Sequence, residues 1–520
     1  MVESSQDNSE PTDSATPGLV RQETRKVLVL QVLRQVVAVA GAATLYRLLG
    51  PESFGLYGMV IPLLMLPRMA ATLGLSTAAV QTEQLSVSQR SAVFYITLAL
   101  GLLAALMTGA LGHVFGRIYE VPALVWISWI FAGTTLVDSL GLTHLAGIQR
   151  QLRLGRVAAI RLVSQLVAVV AAIMVARRSE FGVAETGIVA LITLEYCQLT
   201  VNTLGYWISG SWCPGRLVKA ELKQLLAFGG NYSLSSLVFY TGQNLDKVLL
   251  ALVLGSTQTG QRLLGMYTAM YNLMMKPVYF VTDPVTSVML PSLSRARKNP
   301  PDYHRIARDF YRFTAILLIP AGVGLAVVSH DVALLISGPH WDEAASMLLA
   351  LAPAICVHGM INISGSLLAS VGQTGRLLAA ALILLLVQIQ GYAAAYWFST
   401  QFDLGAGITQ HHAFCVTVGA AYSFVLFLVA PHYLTFCFSR VGLSVGPLLM
   451  EFAQILGRAM LMGVTVWFVQ DLLLANDIAL ILRLPLAILV GVAAYCLLMW
   501  SRITESVIPF LMSRQSERSS

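Results

Sequence analysis

The sequence predicts an all-α, polytopic membrane protein of about 14 transmembrane helices. These form two six-helix lobes related by a pseudo-twofold axis, followed by two C-terminal helices. Three observations predict it. Of the 520 residues, 56% are hydrophobic and only 11% charged, whereas soluble domains are roughly a quarter charged. Apolar runs recur from residue 27 to residue 501, and each run of about 20 residues can cross roughly 30 Å of hydrocarbon as a helix. The stretch from Arg47 to Arg68, RLLGPESFGLYGMVIPLLMLPR, also returns in altered form some two hundred residues later.

In chain order, residues 1–26 read as a disordered cytoplasmic tail, since the first twenty are polar, acidic and rich in Ser and Pro. No cleavable leader is apparent there. The spans of the first lobe (27–208) fall at 27–46, 55–79, 91–112, 123–145, 157–176 and 186–208. A cytoplasmic linker, 209–227, carries Trp212-Cys213-Pro214 and three basic residues. The second lobe (228–430) has spans at 228–253, 264–289, 311–329, 344–370, 377–398 and 407–430. Two further spans, 451–470 and 481–501, fill the segment 431–501, and 502–520 is a second cytoplasmic tail. With the N-terminus inside, and the first five residues of a span counted with its flanking loop, inner loops and tails hold 22 of the 33 Lys and Arg residues, outer loops six and the span interiors five. That bias orients the chain with both termini cytoplasmic and fits an even number of crossings. It also accounts for the formal charge of +7 without nucleic acid. The basic inner loops, 147–156 and 292–309, are orientation signals, and contact with anionic lipid heads is the sharper alternative.

The repeat is legible residue by residue. A shift of 210 carries Gly55 onto Gly265, Tyr57 onto Tyr267, Leu63 onto Leu273, Met65 onto Met275 and Pro67 onto Pro277. A cation accompanies each proline, Arg68 after Pro67 and Lys276 before Pro277. More weakly, Leu145-Ala146 and Arg153 match Leu368-Ala369 and Arg376. Six crossings return the chain to its starting side, so the halves have the same orientation and their axis lies along the membrane normal.

Charges inside spans mark function or pairing, because each costs a few kcal/mol or more at mid-depth if it faces lipid. The basic ones are Arg34, Arg68, Lys247, Lys276 and Arg458, and the acidic ones Asp138, Glu195, Asp246, Asp283 and Glu451. Arg34, Arg68 and Lys276 lie on spans one, two and eight, the last two near the midplane. Together they suit an anionic head group such as a diphosphate, Arg as a bidentate fork and Lys as a point charge. The alternative is that each cation is paired with an acid and locks helices together. Asp283 follows Lys276 by seven residues, hence on the same face; it either binds a coupling cation or proton or offsets Lys276. Adjacent helix positions point about 100° apart, so Asp246 and Lys247 are expected not to neutralise each other, and to act structurally. Glu451 and Arg458, seven apart, are expected to pair locally. Pro67 and Pro277, with Pro62 and Pro284, are candidate helix hinges. His358, His411 and His412 read as satisfied interior residues.

The six cysteines show neither CxxC nor metal-ligand spacing, so no metal or cofactor is expected. There is no HExxH, Walker A or GxGxxG pattern, and nothing suggests an enzyme.

RLLGPESFGLYGMV after span one, IQRQLRLGRVAAI after span four, and FGG, NLDKVLLALVLG and LGMYTAMYNLMMKP around spans seven and eight carry a resemblance. Over roughly residues 27–430 the chain resembles the polysaccharide-export flippases, the Wzx type of the multidrug/oligosaccharidyl-lipid/polysaccharide (MOP) exporter superfamily. The resemblance implies a two-lobe helical flippase fold. It also implies movement of an undecaprenyl-diphosphate-linked oligosaccharide across a bacterial cytoplasmic membrane, for O-antigen, lipopolysaccharide or exopolysaccharide synthesis. A polysaccharide polymerase and chain-length machinery would be partners. In the related lipid II flippases, arginines on spans one, two and eight are thought to hold the diphosphate, and Arg34, Arg68 and Lys276 occupy comparable spans. Two rivals stand beside this reading. A drug or cation antiporter of the same superfamily would use an acid-centred site, for which Asp138 and Glu195 qualify. A membrane-embedded polymerase or glycosyltransferase would need a sizeable outer loop, and here outer loops run to only about 7–15 residues.

Overall fold

The computed structural model describes residues 17–72, 87–151, 153–178, 183–210, 212–216, 223–401, 409–439 and 441–500. Among these residues there are helices and turns but no strands. That is the outcome apolar segments reach in lipid, where a helix satisfies its own backbone groups. The first lobe comprises α1 (Pro17–Leu48), α2 (Pro51–Thr72), α3 (Val87–Ile118), α4 (Ala123–Arg150), α5 (Leu154–Ala176) and α6 (Ala184–Ser209). The second comprises α7 (Lys223–Leu254), α8 (Gln258–Ala296), α9 (Pro300–Val327), the short α10 (Ser329–Ser337), α11 (Ala344–Leu351) and α12 (Ile355–Ser370). It is completed by α13 (Thr374–Gln401) and α14 (Gln410–Ser439), and α15 (Gly446–Ala475) and α16 (Leu480–Leu498) end the chain.

Each predicted span falls on a helix, with α11 and α12 sharing the tenth. Thirteen segments among the described residues are long and apolar enough to cross a membrane. The remaining predicted span is α8, which carries Asn272, Lys276, Asp283 and several tyrosines along its length. Its first half is nearly all buried, so it faces protein and has no need of a lipid-compatible surface. The end of span two beyond Thr72 and the tails 1–16 and 502–520 lie outside the described residues. Two boundaries differ from expectation. Residues 17–26 belong to α1, and α7 begins at Lys223 inside the expected linker. Both stretches carry Leu, Lys and Gln, good helix formers that extend a span into water.

The helix pairings repeat between lobes. In the first, α1 packs on α5, α2 on α3, α4 and α6, α3 on α4, and α6 on α4 and α5. In the second, α7 packs on α13, α8 on α9, α12 and α14, α9 on α12, and α14 on α12 and α13. These are the same contacts carried six spans along the chain.

The lobes meet chiefly where α2 crosses α8, and α7 also touches α2. At that crossing a methyl group on Gly55 would collide with the carbonyl of Gln261, and one on Gly265 with the carbonyl of Pro51. Only a residue without Cβ lets the two backbones approach so closely. The contact is reciprocal, because Gly265 and Gln261 are the repeat mates of Gly55 and Pro51. A second seam joins the end of α1 to the segment after α10. Trp341, 1% exposed, packs against Tyr46 and Phe54 and donates its indole N–H to the Tyr46 carbonyl at 3.2 Å.

The C-terminal helices pack on the second lobe, α15 along α9 and α16 against α15 and α10. Arg312 on α9 meets Glu451 on α15, Nε to Oε1 2.6 Å. Glu451 therefore does not pair with Arg458, whose guanidinium donates to Met499 Sδ at 3.1 Å. A partner on a packed neighbouring helix displaced the local one. Beyond the spans, Asp331 on α10 accepts from Arg483 on α16 (Nε to Oδ2 2.8 Å) and from Gln470 on α15 (2.9 Å). Prolines do not break the helices they occupy: α2 continues through Pro62 and Pro67, and α8 through Pro277, Pro284 and Pro291.

Candidate functional site

From the glycine crossing, α2 and α8 both run on toward their basic residues. At 1.5 Å per residue, Arg68 lies about 20 Å along α2 from Gly55, and Lys276 about 16 Å along α8 from Gly265. The repeat thus sets two cations at comparable depth on the two helices that join the lobes. Their surroundings differ.

Arg68 is held by two carboxylates from two other helices. Its Nε donates to Asp138 Oδ2 of α4 at 3.0 Å, and its Nη2 lies 2.9 Å from the same oxygen. Nη1 donates to Glu195 Oε1 of α6 at 3.3 Å. The three side chains keep 16%, 25% and 21% of their surface exposed, so the cluster is reachable rather than sealed in the core. Tyr57 of α2 and Tyr240 of α7, the latter from the opposite lobe, lie within its electrostatic reach. One cation and two acids give this cluster a formal charge of −1. Arg68 is therefore not the bare cation pictured from the sequence, because Asp138 and Glu195 converge on it from helices that pack on α2 or on each other.

Among the described residues Lys276 has no ion pair or hydrogen bond, and its charged neighbour is Arg34. Arg34, half-buried on α1, likewise has no ion pair among them, and its charged neighbours are Arg161 of α5 and Asp283 of α8. Asp283 is exposed and feels both Arg34 and Arg161. Arg34, Arg161, Lys276 and Asp283 therefore form a second cluster, drawn from α1, α5 and α8, with a formal charge of +2. Like charges gathered in a low-dielectric setting repel unless an anion joins them.

Sequence reasoning missed Arg161. It sits two turns into α5 (Leu154–Ala176) and was counted with the inner loop for orientation. Its Nε donates to Tyr206 Oη of α6 at 3.3 Å. The available signal was its position inside an apolar run, where a cation needs a reason.

Asp246 and Lys247 do pair, contrary to expectation. Lys247 Nζ lies 3.7 Å from Asp246 Oδ1 and 3.2 Å from Asn244 Oδ1, and sits 3.3 Å from the centre of the Tyr271 ring. The flexible lysine stem curls back across the angle that separates the two Cβ atoms. Asp246 also accepts from Tyr267 at 2.8 Å, Tyr271 reaches Tyr422, and Tyr422 reaches His358 Nδ1 at 2.9 Å. His358 is thus a satisfied interior residue, and His412 meets Ser346 at 2.8 Å, whereas His411 is exposed.

A reciprocal two-lobe bundle with ionisable clusters on the helices that line the lobe junction defines a multi-pass membrane protein with the fold of the MOP exporters. The structure superposes on the lipid II flippase MurJ in its inward closed conformation with a TM-score of 0.68 at 12% identity, over 92% of this chain and 99% of that one. It also superposes on a multidrug resistance MATE family transporter in an inward-facing conformation, with a TM-score of 0.57 at 13% identity, over 79% and 95%. Residues 44–346 match the family described as polysaccharide biosynthesis protein, and the chain belongs to that family. Among curated relatives, an uncharacterized membrane protein in the cps region of Klebsiella pneumoniae is 22% identical over 66% of this chain and 68% of its own length. The lipopolysaccharide biosynthesis protein WzxC of Escherichia coli is 22% identical over 62% and 63%. The teichuronic acid biosynthesis protein TuaB of Bacillus subtilis is 23% identical over 58% and 61%. The matched region thus spans about two thirds of these bacterial relatives.

Proposed function

We propose that the protein is a lipid-linked oligosaccharide flippase, moving an undecaprenyl-diphosphate-linked glycan from the inner to the outer leaflet of a bacterial cytoplasmic membrane by alternating access. The observation that carries this reading is the +2 cluster: among the described residues Lys276 and Arg34 stand without an ion pair, Lys276 within electrostatic reach of Arg34 and Arg34 within that of Arg161. A diphosphate is the chemistry that relieves such crowding, since guanidinium and ammonium groups bind its oxygens by charge-assisted hydrogen bonds. Arg68 joins the head group's path by exchanging its carboxylates for phosphate. The two lobes, 27–208 and 228–430, rock about the α2–α8 crossing, with Pro67 and Pro277 letting the helices bend. Both termini are cytoplasmic, and a polysaccharide polymerase and chain-length machinery receive the product.

The test is an Arg34→Ala/Lys276→Ala variant. It is expected to insert normally while surface polysaccharide falls at least tenfold, the loss expected for two charge-assisted contacts; normal surface polysaccharide overturns the assignment. A second reading, export of organic cations, is favoured by the −1 cluster around Arg68. Reconstitution with labelled lipid-linked sugar and, separately, a cationic dye decides between them: transport of the dye alone selects the antiporter.

A further inference from the structure

We infer that Asp138 and Glu195 are an internal counter-anion that the substrate's phosphate must displace from Arg68, so that head-group binding and protonation of this carboxylate pair are linked. This rests on the diphosphate reading and deepens it by naming what couples to binding.

Arg68 spends its guanidinium on two acids. Nε and Nη2 go to Asp138, Nη1 to Glu195, at 2.9–3.3 Å. A phosphate that takes the Nε/Nη2 edge bidentately needs the donors Asp138 holds, so phosphate and Asp138 exclude one another there. The acids come from α4 and α6 while Arg68 comes from α2, so either side can withdraw without unravelling a helix. Once phosphate holds Arg68, two carboxylates remain with no cation. Among the described residues, Tyr57 and Tyr240 are titratable groups facing the cluster, and neither supplies positive charge. Two uncompensated like charges sharing a partly buried site take up a proton. The balance is simple. One phosphate–guanidinium pair forms, one or both carboxylate–guanidinium pairs break, and a proton from water ends on a carboxylate oxygen. Exposure of all three side chains gives that proton access. Release on the other face reverses the exchange and returns the proton there, so phosphate and proton travel together.

The test uses the full chain in nanodiscs, with farnesyl diphosphate as the probe. Titration calorimetry in buffers of different ionisation enthalpy measures protons exchanged per ligand bound. Wild type is expected to take up about one proton more than the Asp138→Asn/Glu195→Gln variant. Asp138→Asn alone is expected to bind the probe roughly tenfold tighter, because a charge-assisted competitor is gone. Asp477→Asn, at the exposed turn between α15 and α16, should leave the proton count as in wild type. Wild type needs no variant for one arm: its affinity should rise between pH 8 and pH 6, against the trend of the ligand's own protonation. If wild type binds the probe but its affinity falls over that range, or Asp138→Asn binds no tighter and all variants exchange the same number of protons, the inference fails while the diphosphate reading stands. If wild type binds no probe, both fall.

Discussion

At the scale of single residues, what decides function is which acid reaches which cation. Arg68 and Lys276 stand beside repeat-matched prolines, yet among the described residues one is gripped by two carboxylates and the other by none. Outside the membrane, Asp331 shows the structural use of the same chemistry. Burial alone would push its carboxyl up, but hydrogen bonds from Arg483 and Gln470 outweigh burial and hold it below the usual carboxylate range. A depressed value means stabilisation that is present above the unfolded pKa, about 3.9, and lost as pH falls through the folded one. Asp331→Asn should therefore cost about 3–5 kcal/mol at neutral pH, and the gap from wild type should close below about pH 4. Thermal unfolding in detergent across that range checks it. None of these partners was legible in the sequence. Arg312 lies 139 positions from Glu451, and Glu195 lies 127 from Arg68. Hydropathy reports only that a charge is inside, whereas its partner is fixed by how helices pack.

At the scale of elements, the apolar runs were sufficient to locate every span, because a segment in lipid has one way to satisfy its backbone. Ends were harder to place. Residues 17–26 and the start of α7 continue helices into water, where composition carries no membrane signal. The repeat was legible too, and its glycines turned out to be where the lobes touch. Gly265→Leu puts a side chain into the Pro51 carbonyl, which cannot step aside as a rotamer would. We expect a loss of at least about 1–3 kcal/mol, seen as a lower melting temperature. Gly457→Leu, where a Cβ meets nothing within contact distance, should be near neutral.

At the scale of the whole molecule, the two seams bear differently on motion. The aromatic seam of Trp341, Tyr46 and Phe54 closes the end of α1 against the second lobe. Trp341→Ala should cost about 3–5 kcal/mol of stability and raise maleimide labelling of a cysteine placed at position 54 severalfold. Unchanged labelling would mean the seam does not gate that face. The glycine crossing is the other seam. A contact in which each half offers the other the same glycine and the same carbonyl is what two identical subunits make across a twofold axis. Here that twofold contact is made within one chain. Carrying both halves on one chain lets one arm set acids around its arginine while the other leaves its lysine without them, a division of labour no symmetric pair can hold.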